Sequence, residues 1–343
     1  MRVETGISTE DWRKVAEAAR RAEATGYQGL ITADIASDPF IPLGIAATAT
    51  ERIGLGTGIV VAFPRSPMTI AQVAWDLHAQ SGGRFHLGLG SQVKGHIERR
   101  FSTPWTAPVP RMREYVESLR AIWNCWEHGE PLDYQGEHYR FSLMTPEFSP
   151  KPNGLPPIRV SIAAVGPAML KLAGRVCDGV RLHGFATRKY LEEVALPQVE
   201  AGIKASGRER EDFEIWGGGF IATGATDEEV AKEMDWVRYR LAFYGSTRSY
   251  HGVLACHDEL DLGMKLHAMS KRGEWEKMAA EISDDLVRIF AAVGRHDELP
   301  AAIEERFGGV SDSVALGFSG STPDDRTREI LADIRAIPAR FSG

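Results

Sequence analysis

Between Arg52 and Gly90 the chain reads RIGLGTGIVVAFPRSPMTIAQVAWDLHAQSGGRFHLGLG, which has the pattern of a strand, an amphipathic helix and a second strand, with glycines at both carboxyl ends. Ile53, Leu55, Ile59, Val60 and Val61 form an apolar run interrupted by Gly54, Gly56 and Gly58. So many glycines disfavour a helix and suit a strand buried on both faces. Ile70, Val73, Ala74 and Leu77 then recur at helical spacing, Ser81-Gly82-Gly83 ends the helix, and Phe85, Leu87 and Leu89 resume a strand. A helix joining two such strands makes them parallel. The bare strand ends admit a close neighbour, either a flat ligand or a tightly packed helix.

This unit recurs along the chain. Strand signals lie near Val3, Leu30, Thr57, Leu87, Val160, Val180, Gly218 and Ala315, each followed by a helical pattern. Ser8-Thr9-Glu10-Asp11 caps the first helix and Gly26 closes it. Later helices are expected over residues 167–175, 189–205 and 227–243, and after Pro323. Met112, Tyr115, Val116, Leu119, Ile122, Trp123 and Trp126 mark one face of a long helix, so both tryptophans read as core. Eight alternating strand–helix units predict an α/β fold of the closed (β/α)8 barrel type, in a single domain over residues 1–343. Residues 95–110 read as an ordered loop excursion, 133–141 as a hairpin, 213–223 as the seventh strand, 313–318 as the eighth, and 245–307 as a mostly helical insertion without a strand of its own.

Composition narrows the function classes. A net charge of −7, from 40 basic and 47 acidic residues, gives no general footprint for nucleic acid or an anionic membrane and points to a small-molecule partner. Three cysteines far apart suggest neither a disulfide framework nor a zinc site. The acidic start and the lack of a long apolar run predict an unprocessed cytoplasmic protein. His251, Cys256, His257 and Asp258 lie close together without metal-ligand spacing, so no metal is expected. No nucleophile elbow, phosphate loop or GxGxxG fingerprint is present.

Four blocks in order, RIGLGTGIVVAFPRSP, SGGRFHLGLGSQ, RMREYVESLRAIW and PPIRVSIAAVGPAMLKLAGRVCDGVRLH, resemble the bacterial luciferase-like flavin and deazaflavin oxidoreductases, most closely their coenzyme F420-dependent branch. The resemblance spans nearly the whole chain. It implies a barrel with the cofactor at the carboxyl ends of the strands, hydride transfer, and commonly a homodimer.

Within that resemblance, Gly58-Ile59 matches a non-prolyl cis peptide that presses against the middle of the tricyclic ring. Gly90, Ser91, Gln92 and His96 match groups at the ring edge and side chain, although Ser and Gln also commonly begin loops. Ala164-Val165-Gly166 precedes Pro167, which suits a first helical turn and leaves N–H groups pointing outward, a natural phosphate site. The family uses this turn for the cofactor tail. Asp34-Ile35 stands where F420-dependent relatives often have Asp-His, so the usual proton donor is missing. Asp34 and His183 are then the candidate catalytic residues, since a histidine ordinarily titrates near neutrality. Asp38 is a further polar candidate. Arg65, Arg99, Arg100, Arg111 and Arg113 are either partners for an acidic cofactor tail or intrachain pairs. Tyr244, Arg248, Tyr250 and His251 are candidates for the substrate pocket. The activity expected is F420-dependent hydride transfer to or from a small organic substrate. The alternatives are an FMN-dependent monooxygenase using reduced flavin and O2, and a noncatalytic cofactor-binding barrel.

Overall fold

The computed structural model describes residues 1–8, 10–318, 322 and 324–342; Thr9 and Pro323, invoked above as helix signals, lie outside them. The strands are β1 (Arg2–Gly6), β2 (Gly29–Thr32), β3 (Gly54–Thr57), β4 (Val60–Val61), β5 (Phe85–Gly90), β6 (Tyr134–Gln135), β7 (Arg140–Phe141), β8 (Arg159–Ala164), β9 (Gly179–Leu182), β10 (Glu214–Gly217), β11 (Phe220–Gly224), β12 (Ala291–Arg295) and β13 (Ser313–Ala315). The main sheet has the order β3-β2-β1-β13-β10-β9-β8-β5-β4, with β3 also paired to β5. With β3 and β4 counted as one interrupted strand, this is the (β/α)8 barrel expected from the sequence. No described helix is long and apolar enough to cross a membrane.

The chain divides into two compact units, an amino-terminal one (Thr5–Ala163 with Leu172–Gly179) and a carboxyl-terminal one (Met1–Glu4, Ala164–Lys171 and Val180–Gly343). In the amino-terminal unit, β2, β3, β4, β5 and β8 pair in parallel. The helix Trp12–Thr25 starts at Asp11, whose carboxylate accepts the Arg13 N–H, and ends at Gly26, whose φ of 105° is in the left-handed region that glycine tolerates. Near the end of that helix, Glu23 accepts the N–H groups of Glu51, Arg52 and Ile53 and so seats the entrance to β3. Ser66 caps Pro67–Gln80, which buries Ile70, Ala71, Ala74 and Trp75. Trp75 meets Trp126 of the helix Pro108–His128 edge-on at 5.5 Å, and Trp123 donates to the Ala71 carbonyl, so the tryptophan pair is core. The predicted hairpin forms as antiparallel β6 and β7. The supposed loop at 95–110 begins as a short helix, Lys94–Arg99, on which only Ile97 is buried. One buried position in six residues left too little periodicity to read.

In the carboxyl-terminal unit, β13 pairs in parallel with β1 and β10. The interior carries charge: Glu4 takes an ion pair from Arg181 at 3.0 Å and a hydrogen bond from the Trp216 indole at 3.0 Å. The predicted seventh strand is in fact two, β10 and β11, because Gly217 and Gly218 turn the chain at φ 73° and 96°. The region 245–307 does contain a strand, contrary to expectation: β12 pairs in parallel with β11 from Phe220↔Ala291 to Gly224↔Arg295. Its sequence, AAVGR, is too short and too poor in β-branched residues to stand out between helices. The eighth strand ends at Ala315, earlier than expected.

Candidate functional site

The predicted catalytic and cofactor-binding residues lie at or after the carboxyl ends of their strands, the end at which barrels of this kind carry chemistry, whereas Tyr244, Arg248, Tyr250 and His251 lie on helical segments. In the amino-terminal unit the Gly58–Ile59 peptide bond is cis and separates β3 from β4. Its flanks are tied to the end of β2: the Gly58 N–H donates to the Thr32 carbonyl at 2.7 Å, and the Asp34 N–H donates to the Ile59 carbonyl at 2.9 Å. The Asp34 carboxylate accepts the Val61 N–H at 3.2 Å and the Arg65 guanidinium at 3.2 Å. Arg65 also reaches Asp38 at 3.1 Å, while its carbonyl accepts the Tyr115 hydroxyl. Asp34 is buried, so both of its polar roles are met inside the chain.

Gly90 meets this network through Ile59. A Cβ at Gly90 would lie 2.4 Å from Ile59 Cδ1, so the close approach that requires glycine here is by a side chain of the same chain. Ser91 donates to the Gln92 carbonyl at 3.3 Å, and Gln92, at φ 54°, accepts the Val93 N–H through its side-chain oxygen. His96 is exposed on its short helix. Ile35 is 70 % exposed, and its carbonyl accepts from Arg100. Of the five arginines, Arg65 is held by aspartates and Arg111 by the Phe63 carbonyl and the Tyr139 hydroxyl. Arg113 lies in ion pairs with Glu114 and Glu117, so these three read as intrachain partners. Glu114, Glu137 and His138 bring three potential metal ligands together. Burial would raise the Glu114 carboxyl, but the backbone N–H groups of His138, Glu137 and Tyr139 hold it below its ordinary range, and they account for the cluster.

In the carboxyl-terminal unit, His183 follows β9. The Phe185 N–H donates to its Nδ1 at 2.9 Å, which leaves the proton of the neutral ring on Nε2. The ring packs edge-on against Tyr244 at 4.2 Å and at a tilt of 40° against Tyr250 at 4.8 Å. Burial, with Arg240 adding, pushes its pKa down to about 4. His183 is therefore neutral near pH 7, and the cationic acid expected from an ordinary histidine is not what this environment favours. Burial likewise pushes Tyr250 up to about 12. Arg240 lies over the rings of both Trp236 and Tyr244 and donates to the Tyr244 hydroxyl, forming a stripe at every fourth residue of the helix Asp227–Gly245. The Val165 carbonyl accepts the Tyr190 hydroxyl at 2.8 Å, Ala164 is buried, and Gly166 is exposed with nothing within 4 Å of where its Cβ would be.

Sequence reasoning named Tyr244 and Tyr250 but missed Phe185 and Arg240. The four-residue spacing of Trp236, Arg240 and Tyr244 was the available signal. It also missed a cavity of about 640 Å³ in the carboxyl-terminal unit, lined by Leu182 and Gly184 on either side of His183 but by none of the predicted site residues.

A family model described as luciferase-like monooxygenase matches residues 1–313. An uncharacterised Mycobacterium tuberculosis protein is 46% identical over 311 residues, covering 91% of this chain and 92% of that protein. An F420-dependent glucose-6-phosphate dehydrogenase of Intrasporangium calvum is 26% identical over 291 residues, covering 80% and 79%. The structure of a coenzyme F420-dependent tetrahydromethanopterin reductase from Methanopyrus kandleri shares the fold, with a TM-score of 0.75 at 20% identity over 97% of both chains.

Proposed function

The chain belongs to the luciferase-like monooxygenase family, and from that premise we propose that it is a coenzyme F420-dependent oxidoreductase moving hydride between the deazaflavin and a small organic substrate. The observation that carries this reading is the placement of Gly58–Ile59 and of Gly90 to Gln92 at the carboxyl ends of the paired parallel strands β3 and β5, where the resemblance assigns ring contact. The F420-dependent dehydrogenase among the relatives supports the choice of cofactor.

The residues present fit such a group. Ile59 is an apolar, half-buried side chain seated on Gly90, and Ser91, Gln92 and His96 add polar atoms beyond the same strand end. In the carboxyl-terminal unit taken by itself, Ala164, Val165 and Gly166 form the turn into the helix Pro167–Val176, a start that suits a phosphate group. Bound F420 supplies a carbon that gives or takes hydride. The chain supplies orientation. Asp34, occupied by Val61 and Arg65, is a positioning residue that fixes the backbone after Ile59. His183 offers an Nε2–H hydrogen-bond donor instead of a cationic acid. A homodimer in the cytoplasm completes the proposal.

One observation favours a second reading: exposed Ile35 stands where F420-dependent relatives often have histidine, which keeps an FMN-dependent monooxygenase in play. Titrating the purified protein separately with F420 and FMN, by fluorescence and absorbance, tests both. Micromolar F420 binding with weak FMN binding is expected. The reverse preference overturns the F420 reading and directs the search to O2-dependent turnover.

A further inference from the structure

The cavity of about 640 Å³ in the carboxyl-terminal unit has the size of a small-molecule site. Its walls include Phe220, Trp236, Phe307, Phe318 and His296. Phe220 and Trp236 meet edge-on at 6.0 Å, and His296 meets Phe318 in the same way at 5.3 Å. His296 is buried, and burial holds its pKa below the ordinary value, so it adds a neutral ring to an aromatic lining.

A further stretch of wall is bare backbone, Gly217 to Gly219, packed from behind. A Cβ on Gly219 would fall 2.6 Å from Arg306 Nη2, and one on Gly218 would fall 2.9 Å from Leu191 Cδ1. Arg306, itself buried, donates to the Gly218 carbonyl at 2.7 Å, and Ser311 donates to the Gly217 carbonyl at 2.6 Å. This wall is therefore a fixed surface free of side chains.

One polar atom in the lining is unmet. Thr223 Oγ1 is buried and has no hydrogen-bond partner among the described residues. A hydroxyl in that position gains from a ligand atom able to pair with it. Lys232, Glu229 and Glu233 bring charges of both signs to the lining, and the Glu229 carboxylate already accepts the Ala225 N–H at 2.7 Å, so neither an anion nor a cation is selected.

We infer that this cavity binds a flat, uncharged, conjugated ring compound with a polar edge atom that pairs with Thr223. Aromatic walls beside a bare backbone surface favour a flat ring over a flexible chain. Identifying this ligand as the substrate rests on the oxidoreductase reading; the binding does not.

The test is calorimetric titration of the full-length protein, without cofactor, with coumarin, a flat bicyclic lactone. Saturable binding in the submillimolar range is expected. T223V, which keeps the side-chain shape, and W236A, at a residue 49% exposed, should each weaken binding about tenfold. K232A should leave it within about twofold, because the inferred ligand is uncharged. Circular dichroism checks that each variant folds. Absence of saturable heat from the wild-type protein, or wild-type affinity in both T223V and W236A, overturns the inference. Coumarin binding by a protein that ignores F420 would sustain the cavity and remove the cofactor reading.

Discussion

Two arginines, one in each unit, are held in opposite ways. Arg65 lies between two carboxylates, Asp34 at 3.2 Å and Asp38 at 3.1 Å. Arg240 lies over the rings of Trp236 and Tyr244 and donates to a phenol. The first arrangement neutralises charge and fixes backbone, because Asp34 also holds the Val61 N–H. In the second, the cation contributes to keeping a neighbouring histidine neutral. Paired charge thus serves shape in one unit, while in the other burial, with the cation held over the rings adding to it, disfavours protonation of the histidine.

The largest effect should come from breaking the first arrangement. Arg65→Met leaves a buried Asp34 carboxylate with only the Val61 N–H, an uncompensated charge that costs about 3 kcal/mol, the low end for such pairs because the Arg65 side chain is 28% exposed. Urea unfolding measures this directly. A loss below about 1 kcal/mol would mean that solvent already screens the pair. The equivalent change in the second arrangement, Arg240→Met, removes no carboxylate partner and should cost far less stability while letting the His183 pKa rise.

Much of the barrel was legible because strand and helix periodicities alternate, and because the caps at Asp11 and Gly26 are local signals. The cis peptide was legible only through the family resemblance. Contacts between residues distant in sequence left no local trace: Asp34 pairs with a residue 31 positions away, and His183 packs on Tyr244, which arrives from another helix. On sequence grounds the bare strand end at Gly90 admits either a flat ligand or a packed helix, yet the atom nearest its missing Cβ belongs to Ile59. Sequence showed that something approaches closely there, but not what.

That distinction can be measured. Gly90→Ala should destabilise by about 1–3 kcal/mol, because a Cβ would lie 2.4 Å from Ile59 Cδ1 and force that side chain to shift. Combining it with Ile59→Ala removes the clash, so the double variant should be more stable than the summed single effects by at least about 1 kcal/mol. Additive effects would show that Ile59 is not the reason for the glycine. F420 affinity should fall in both single variants if Ile59 forms the ring contact.

The smallest effect on stability, and the sharpest on mechanism, concerns His183. Its folded pKa of about 4 lies below the ordinary histidine value, so the unfolded chain takes up a proton first as the pH falls. The stability due to the neutral ring is complete above about pH 6.5 and is lost progressively toward pH 4. Replacing His183 with Phe should therefore reduce the slope of unfolding free energy against pH, most clearly between about pH 5 and 6.5, by up to one proton. His257 and His296, also lowered by burial, should retain their own share of the slope. In turnover, a neutral Nε2–H donor has no ionisation to lose between about pH 6 and 8, so kcat should be flat there with respect to this group. A fall in kcat centred near pH 6.5 that disappears in the His183→Gln variant would instead identify a working imidazolium, and would show that substrate binding restores the charge that Tyr244, Tyr250 and Arg240 disfavour in the free protein.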